Sequence, residues 1–256
     1  MTKDIGSILE GWPHESGRVS VRKIRGGDGR VKIQLRLDLG LLQMAVAGRP
    51  DGQRPYDCES ALAHFEDLLN RHQQERGSDR GFSLDEKQCE QLRTEAIQYY
   101  YRYLSEFVLE DYEAVVRDTD RNLRVLDFCA NYAEEESDRY IMEQYRPYIL
   151  MMNTRSKAHL AMRDNRPRQA RKIVRGALSK MGEFFNRFGR ENLYSSSSEV
   201  GVLEVLLKEI EAKIPVDPVQ KLKRQLAKAV REERYEEAAR LRDVIERDSG
   251  ARGSKS

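Results

Sequence analysis

The chain has 256 residues, of which 39% are apolar and 34% are charged, and its formal net charge is +2. This composition is too apolar for a disordered chain and too polar for a membrane protein, and no apolar run approaches the roughly 20 residues that a membrane helix needs. The first residues lack a basic segment followed by a long apolar one, so we expect no signal peptide and a cytoplasmic location. The length suits one sizeable core with a small appendage.

The N-terminal part of the sequence predicts a small antiparallel sheet of two or three strands within residues 18–48. The segment RVKIQLRLD alternates apolar and polar residues, with the apolar set at Val31, Ile33, Leu35 and Leu37. This alternation is the pattern of a strand that is buried on one face. GGDG at 26–29 is typical of a hairpin turn, and a change of phase at Gly40 indicates a bulge or a tight turn.

The remainder of the sequence predicts helices. An apolar face near residues 59–72 precedes a polar loop at 71–81, and SLDE at 83–86 has the form of a capping box that opens a helix to about residue 110. Pro167 suits the first turn of another helix. The other helices are expected at about 111–133, 137–163 and 199–213.

Two features of this helical part leave alternatives open. Small residues recur where two helices within 137–188 would cross, at Ala158, Ala161, Ala170 and Ala177. This spacing is similar to tetratricopeptide-like repeats, so the domain is either a repeat with a peptide groove or a plain helix bundle. Tyrosines surround the first long helix at Tyr99, Tyr100, Tyr101 and Tyr103. They predict either a stacking platform for a ligand or packing at the rim of the core.

The C-terminal segment predicts two short antiparallel helices, about 219–231 and 235–247, with REER as a polar corner. The apolar residues of the first helix recur at spacings of 3, 4 and 3, and those of the second at 3, 3 and 4, as one helix face requires. Adjacent alanines at 238 and 239 predict a close approach of the two helices. A hairpin this short is only marginally stable by itself. Its apolar face is therefore expected to pack against the core of the chain, a second copy of the hairpin or a partner protein.

The segment LKRQLAKAVREERYEEAARLRDVIE resembles the UVR motif, also called the UvrB/UvrC motif, over about residues 216–248. The resemblance implies a hairpin that binds a similar hairpin or another protein, as in bacterial nucleotide-excision-repair subunits, Clp-type unfoldases and adaptors of protein-arginine kinases. The partner-binding residues that it implies are Leu222, Leu226, Ala229, Tyr235, Ala238, Ala239, Leu241, Arg242, Asp243 and Ile245. Arg242 and Asp243 are expected to set the register of a coiled-coil-like contact by charge pairing.

No motif for catalysis, metal binding or a cofactor is present in the sequence. It lacks a phosphate-binding G-x-x-x-x-G-K-[ST] loop, and its three cysteines, Cys58, Cys89 and Cys129, form no C-x-x-C pair. The four histidines form no H-x-x-x-H. We therefore expect reduced structural thiols, no cofactor, no metal and no enzymatic activity.

Charge is unevenly distributed along the chain. Residues 18–36 contain seven basic residues and one acidic one, residues 104–143 contain twelve acidic and four basic ones, and residues 163–190 contain nine basic and two acidic ones. The two basic segments either form one surface for nucleic acid or an acidic partner, or pair with the acidic segment. The residues of such a surface would be Arg22, Lys23, Arg25, Arg168, Arg171, Lys172 and Arg175.

The predicted fold is α+β and mostly α. Its predicted parts are a small antiparallel β region at 1–58, a tetratricopeptide-like helical domain at 59–213, a linker at 214–218, the UVR-like hairpin at 219–248 and a disordered tail at 249–256. The favoured function is a non-enzymatic adaptor that binds a partner protein through the hairpin. The alternatives are a nucleic-acid-associated protein and a structural protein that self-associates into a homodimer through the hairpin.

Overall fold

The computed structural model describes residues 4–214 and 218–253. Within them the chain is mostly helical, with a small antiparallel sheet at the N-terminus and a pair of helices at the C-terminus, so the predicted fold class is confirmed. The chain divides into two compact units, one that ends at Lys208 and one that begins at Glu209. The predicted β region and most of the predicted helical domain therefore share the first unit.

A short helix, α1 (Gly6–Leu9), precedes a sheet with the order β1 (Val21–Arg25), β2 (Val31–Leu37) and β3 (Gly40–Ala45). Both strand pairs are antiparallel. The glycine-rich segment closes the first hairpin, where the backbone N–H of Gly26 donates to the carbonyl of Arg30 at 2.8 Å. The phase change at Gly40 is a tight turn, because Gly40 pairs directly with Leu37 and only two residues lie between them.

Both faces of the sheet are covered, whereas the sequence predicted a strand buried on one face only. Ile33 and Met44 lie on the face that packs against Tyr101 of the helical part. On the other face Gln34 is also buried and donates to Gln43 at 3.0 Å. The segment before β1 provides the additional cover, since the guanidinium of Arg22 stacks on Trp12 at 4.0 Å and also donates to Gln34.

Three helices form the main core of the first unit: α2 (Ala61–Arg76), α3 (Glu86–Val108) and α4 (Tyr112–Tyr132). α2 runs into the predicted polar loop and ends at Gly77, whose left-handed backbone (φ 75°) suits glycine. The predicted capping box of α3 is displaced by two residues. Asp85 and Gln88 form it, while the hydroxyl of Ser83 donates to Glu134.

The predicted helix at 137–163 is interrupted. α5 (Glu136–Tyr140) is followed by a 3-10 turn at Glu143–Tyr145 and then by α6 (Arg146–Arg163). Pro147 lies in the first turn of α6, where its missing N–H costs nothing, but it would break a helix that continued through it. The unit continues with α7 (Pro167–Arg187) and the start of α8 (Ser198–Lys213).

The long helices pack in chain order, α3 on α4, α4 on α6 and α6 on α7. The four alanines predicted at the crossing of the last pair are all buried, namely Ala158, Ala161, Ala170 and Ala177. Small side chains let two backbones approach closely, which fits this packing. The tetratricopeptide-like character of the domain stays a prediction.

A buried arginine joins the sheet to the helices. Arg102 of α3 makes a bidentate pair with Asp118 of α4, with N···O distances of 2.6 and 2.9 Å. Its remaining nitrogen donates to the carbonyls of Ala45 (3.0 Å), the last residue of β3, and of Gly48 (2.7 Å), just beyond it. Four of the five N–H donors of Arg102 therefore have an acceptor, and these hydrogen bonds offset the cost of burying the charge.

A second buried network fixes the start of α2. Glu95 of α3 accepts a hydrogen bond from the backbone N–H of Ala61 at 2.8 Å and pairs with Arg121 of α4. Arg121 also stacks on Tyr99 at 4.1 Å. Burial lowers the pKa of Arg121 to about 9. A carboxylate at a helix N-terminus satisfies backbone donors that have no partner within the helix.

The second unit contains the C-terminal hairpin, formed by α9 (Pro218–Arg231) and α10 (Tyr235–Gly253), which pack against each other. Residues 215–217, most of the predicted linker, lie outside the described residues. α10 continues to Gly253, five residues into the segment predicted as a tail, and residues 254–256 again lie outside the described part. The apolar periodicity ends near Ile245, so it could not indicate where the helix stops.

Candidate functional site

The turn of the hairpin has a defined geometry. The N–H of Arg234 donates to the carbonyl of Ala229 (2.9 Å), and the N–H of Glu233 donates to that of Val230 (3.2 Å). This pair of bonds is a Schellman motif, which satisfies carbonyls at the end of α9. Glu233 has the left-handed conformation (φ 55°) that glycine usually occupies in this motif.

Two alanines lie at the contact between the helices. Ala229 of α9 is fully buried, and Ala238 of α10 is 8% exposed. The predicted close approach therefore involves Ala238, whereas its neighbour Ala239 is exposed and faces away from the contact. Successive helix residues point about 100° apart, so one of two adjacent alanines must leave a shared seam. Ala229 and Ala238 thus form the packing contact that holds the two helices of the hairpin together.

Larger apolar side chains of the hairpin are only partly covered. Four members of the predicted partner-binding set are half-buried: Leu222 and Leu226 on α9, and Leu241 and Ile245 on α10. They recur on the face of each helix that contains the buried alanine, at spacings of 3 or 4 residues. Partly open leucine side chains of this kind keep apolar area that a further surface can cover.

Tyr235 is the most exposed large apolar residue of the described hairpin, at 68%. Sequence periodicity predicted that it would share the buried face with Ala238, but it is the first residue of α10 and lies at the turn. Around it, Arg234 pairs with both Glu232 and Glu237. Tyr235, Arg234 and Glu237 line a shallow depression of about 600 Å³.

Arg242 and Asp243, predicted to set register, are exposed, and neither has an ion-pair partner among the residues that the structure describes. Their side chains are therefore available for pairing with another molecule. Exposed charges beside an apolar row are the arrangement that coiled-coil contacts use to select partners.

The predicted basic surface of the sheet is largely engaged within the protein. Arg22 stacks on Trp12 and donates to Gln34, as described above, and Lys23 pairs with Asp111 at the start of α4 at 2.9 Å. Arg25 is exposed. These contacts favour the alternative in which basic and acidic segments pair. Arg163–Glu113 and Arg187–Glu143 (3.4 Å) join the second basic segment to the acidic one in the same way.

The basic residues of α7 are placed differently. Arg168 and Lys172 are exposed, Arg171 is half-buried, and none of the three has a carboxylate partner within the described part of the chain. They lie opposite the buried row of α7, which includes Ala170, Val174 and Ala177. Arg175, also exposed, does have an interaction partner. The described residues therefore include basic side chains on α7 that lack a carboxylate partner, whereas Arg22 and Lys23 of the sheet are engaged within the protein.

One further concave site was not identified from the sequence. The exposed flank of α3 and the start of α6 border a groove of about 900 Å³ that Tyr100, Tyr145 and Tyr148 line. The tyrosine run on α3 was the only sequence signal for it, and Tyr99 and Tyr103 of that run are buried. Tyr145 and Tyr148 come from a segment some 45 residues away along the chain, so the sequence alone could not place them opposite α3.

Within residues 4–214 and 218–253, no three His, Cys, Asp or Glu side chains lie close enough together to hold a metal ion. In the same residues no helix combines the length and apolarity needed to cross a bilayer.

Comparison with known protein families finds one match. The model of the UvrB/uvrC motif (UVR) matches residues 218–247, which include α9 and most of α10. The C-terminal hairpin is therefore a UVR motif, as the resemblance indicated. Neither the curated proteins nor the solved structures contain a match to this chain.

Proposed function

We propose that this protein is a non-enzymatic adaptor that binds a partner protein through its UVR hairpin. The main observation behind this proposal is that, in the matched motif, Leu226 and Leu241 are only half-buried and Tyr235 is exposed. Two short helices with little core are stabilised mainly by what packs on them. UVR motifs are known in DNA-repair and Clp-related proteins, so we propose a partner from one of these systems. The proposed partner also contains a UVR motif.

The proposed contact has two components. The half-buried leucines supply apolar area, and Tyr235 supplies a large amphipathic side chain of the type that dominates interface energetics. Arg242 and Asp243 supply charges that select the partner's orientation. Ala229 and Ala238 maintain the hairpin on which the other residues are displayed.

The test is affinity capture from native lysate with the full chain and with Tyr235→Ala and Leu241→Asp variants. The adaptor function predicts one or more proteins that wild type retains and both variants lose. Val205→Asp is the matched control, because Val205 is exposed on α8 outside the motif and receives the same new charge. An unchanged set of captured proteins for the two hairpin variants would contradict the proposal.

A second candidate is association with nucleic acid through α7. It is supported by the three basic side chains of Arg168, Arg171 and Lys172 that lack carboxylate partners among the described residues. Binding to duplex DNA or RNA should then weaken steeply with salt, and Arg168→Gln with Lys172→Gln should reduce the salt slope by about 2. A flat salt dependence would exclude this candidate.

The third candidate is self-association through the hairpin. Sedimentation at micromolar concentration distinguishes it from the adaptor function, because a homodimer seam predicts a mass that doubles with concentration and returns to the monomer value in Leu241→Asp. A monomer at all concentrations would exclude it.

A further inference from the structure

The groove of about 900 Å³ lies wholly within the first unit and is separate from the hairpin residues. It is bordered by α3, by Asn122 of α4, by the segment 141–145 that contains the 3-10 turn, by α6 and by the first turn of α8. Its apolar lining includes Ile97, which is 54% exposed, and Ile141. A large apolar side chain left open inside a concavity is typical of a binding site.

Tyrosine rings form one wall of this groove. The ring of Tyr100 meets that of Tyr103 edge to face, with centroids 5.6 Å apart, and lies 6.1 Å from the ring of Tyr148. Tyr103 is 1% exposed and lines the groove. Burial raises the pKa of Tyr103 well above its ordinary value, so the hydroxyl stays protonated. Tyr100, Tyr103 and Tyr148 therefore give the groove an aromatic wall.

Two carboxylates at the groove have no cationic partner in the described part of the chain. They are Glu90 of α3 and Glu199 in the first turn of α8. Burial by itself would raise the pKa of Glu199, but hydrogen bonds from Ser197, Ser198 and its own backbone hold it below its ordinary value. Among the described residues that line the groove, Arg93 is the only cation, and it is already paired with Asp138. The charged groups of the lining that lack a partner are therefore carboxylates.

We propose that this groove binds the side chain of an arginine or lysine in a segment of a partner protein. Tyrosine faces attract a cation through their quadrupoles, and an ionised carboxylate beside them adds direct attraction. An anionic occupant would be repelled by Glu90 and Glu199, and a purely apolar one would remove water from these carboxylates without supplying an opposite charge. Only a cation complements this lining.

The occupant extends beyond one side chain. A volume of about 900 Å³ is at the upper end of the range for ligand pockets, so the residues next to the cation also enter the groove. Ile97 and Ile141 provide apolar contacts for them. The occupant is a short segment with a basic residue flanked by apolar ones, and this site does not depend on the function of the hairpin.

The experiment is a selection of short random displayed peptides on the immobilised full chain. Enriched peptides should share an Arg or Lys at one position with apolar neighbours. Fluorescence anisotropy with a synthetic copy should show that replacing the basic residue by citrulline weakens binding about tenfold or more. Glu199→Gln should weaken it by a similar factor, and Tyr145→Ala, at a position that is 56% exposed, several-fold.

Matched variants separate this site from the rest of the molecule. Glu199→Gln retains an oxygen that accepts from Ser197 and Ser198, so the start of α8 is preserved. Glu191→Gln removes an exposed carboxylate in a neighbouring turn and should leave peptide affinity unchanged, as should Leu241→Asp in the hairpin. The proposal is overturned if selected peptides lack a basic residue, if Glu199→Gln binds them as wild type does, or if no peptide is enriched. It is also overturned if spermidine alone occupies the groove.

Discussion

In the first unit several charged side chains are buried and have more than one partner each, whereas the ion pairs described in the hairpin lie on the surface within one helical turn. Arg102 is 1% exposed and bridges two helices and the end of a strand, while Arg234 pairs with Glu232 and Glu237 beside it in sequence. Local surface pairs contribute little to stability, and buried networks make removal of one partner costly.

The two regions also differ in how completely they bury their apolar rows. In α7 the inward row, including Val174 and Met181, is fully buried, whereas in the hairpin only the alanines of the row are buried and the leucines are half-covered. The first unit therefore has its own core. The hairpin has only an incomplete one, because its leucines stay partly exposed.

The largest expected effect tests the buried network. Arg102→Met removes the bidentate cation from the buried Asp118, which keeps only the half-exposed Arg117 at 2.8 Å. We expect it to lower the free energy of unfolding by about 3–5 kcal/mol. Urea unfolding followed by the fluorescence of Trp12, the single tryptophan, measures this in the first unit. The control is Arg124→Met, which removes a 3.4 Å pair from an arginine side chain that is 62% exposed, and should cost at most about 1 kcal/mol. Equal losses of unfolding free energy in the two variants would contradict the difference proposed between buried and exposed ion pairs.

The next effect concerns pH. Burial and the neighbouring Asp118 charge raise the pKa of Glu106 from 4.5 to about 8, against the opposing effect of Arg117 and Arg102. Between these values the unfolded chain has released the proton and the folded chain has kept it, so stability falls as pH rises and levels off above about 8. Glu106→Gln should remove a fall on the order of 3 kcal/mol, measured by urea titrations across this range. A parallel pH profile for the variant would exclude this origin.

A smaller effect is expected in the hairpin. Ala238→Leu adds volume at the contact of α9 and α10 and should destabilise the hairpin by about 2 kcal/mol. Amide hydrogen exchange in α9 and α10 should accelerate while exchange in α3 and α4 stays unchanged. Ala239→Leu, the exposed neighbour, should change stability by less than about 0.5 kcal/mol. Faster exchange in both units would show that the two do not unfold separately.

The smallest effect is stabilising. Glu233→Gly relieves the left-handed backbone of a non-glycine residue and should slow exchange in the hairpin by the equivalent of about 0.5–1 kcal/mol. Glu232→Gly, one residue earlier in the same turn, lacks this benefit and should destabilise instead. If both substitutions change exchange by the same amount, the left-handed conformation of Glu233 does not limit the stability of the hairpin.

The parts of the fold that follow from local patterns could be predicted from sequence. Period-two alternation located β2, Pro167 marked the start of α7, and the spacing of apolar residues located both hairpin helices. These signals depend on residues a few positions apart. The UVR motif is also a signal from residues that are close together in the sequence.

The features that were missed depend on contacts between distant residues. The second cover of the sheet requires Trp12 to meet Arg22, and the cap of α3 went to Asp85 because the Ser83 hydroxyl found Glu134, 51 residues away. The exposure of Tyr235 depends on its place at a turn, which periodicity does not encode. The aromatic groove required Tyr100 and Tyr148 to face each other from two helices.

The hydrogen bonds from Arg102 to the carbonyls of Ala45 and Gly48 have a consequence for the order of folding. These acceptors lie more than fifty residues from their donor, and Arg102 is itself positioned by Asp118 of the next helix. Long loops close late because they cost chain entropy before any contact forms. We therefore expect the end of the sheet to become fixed only after α3 and α4 have docked, although the ribosome delivers the sheet before these helices. During synthesis the strands then leave the ribosome before the helices that hold the end of their sheet.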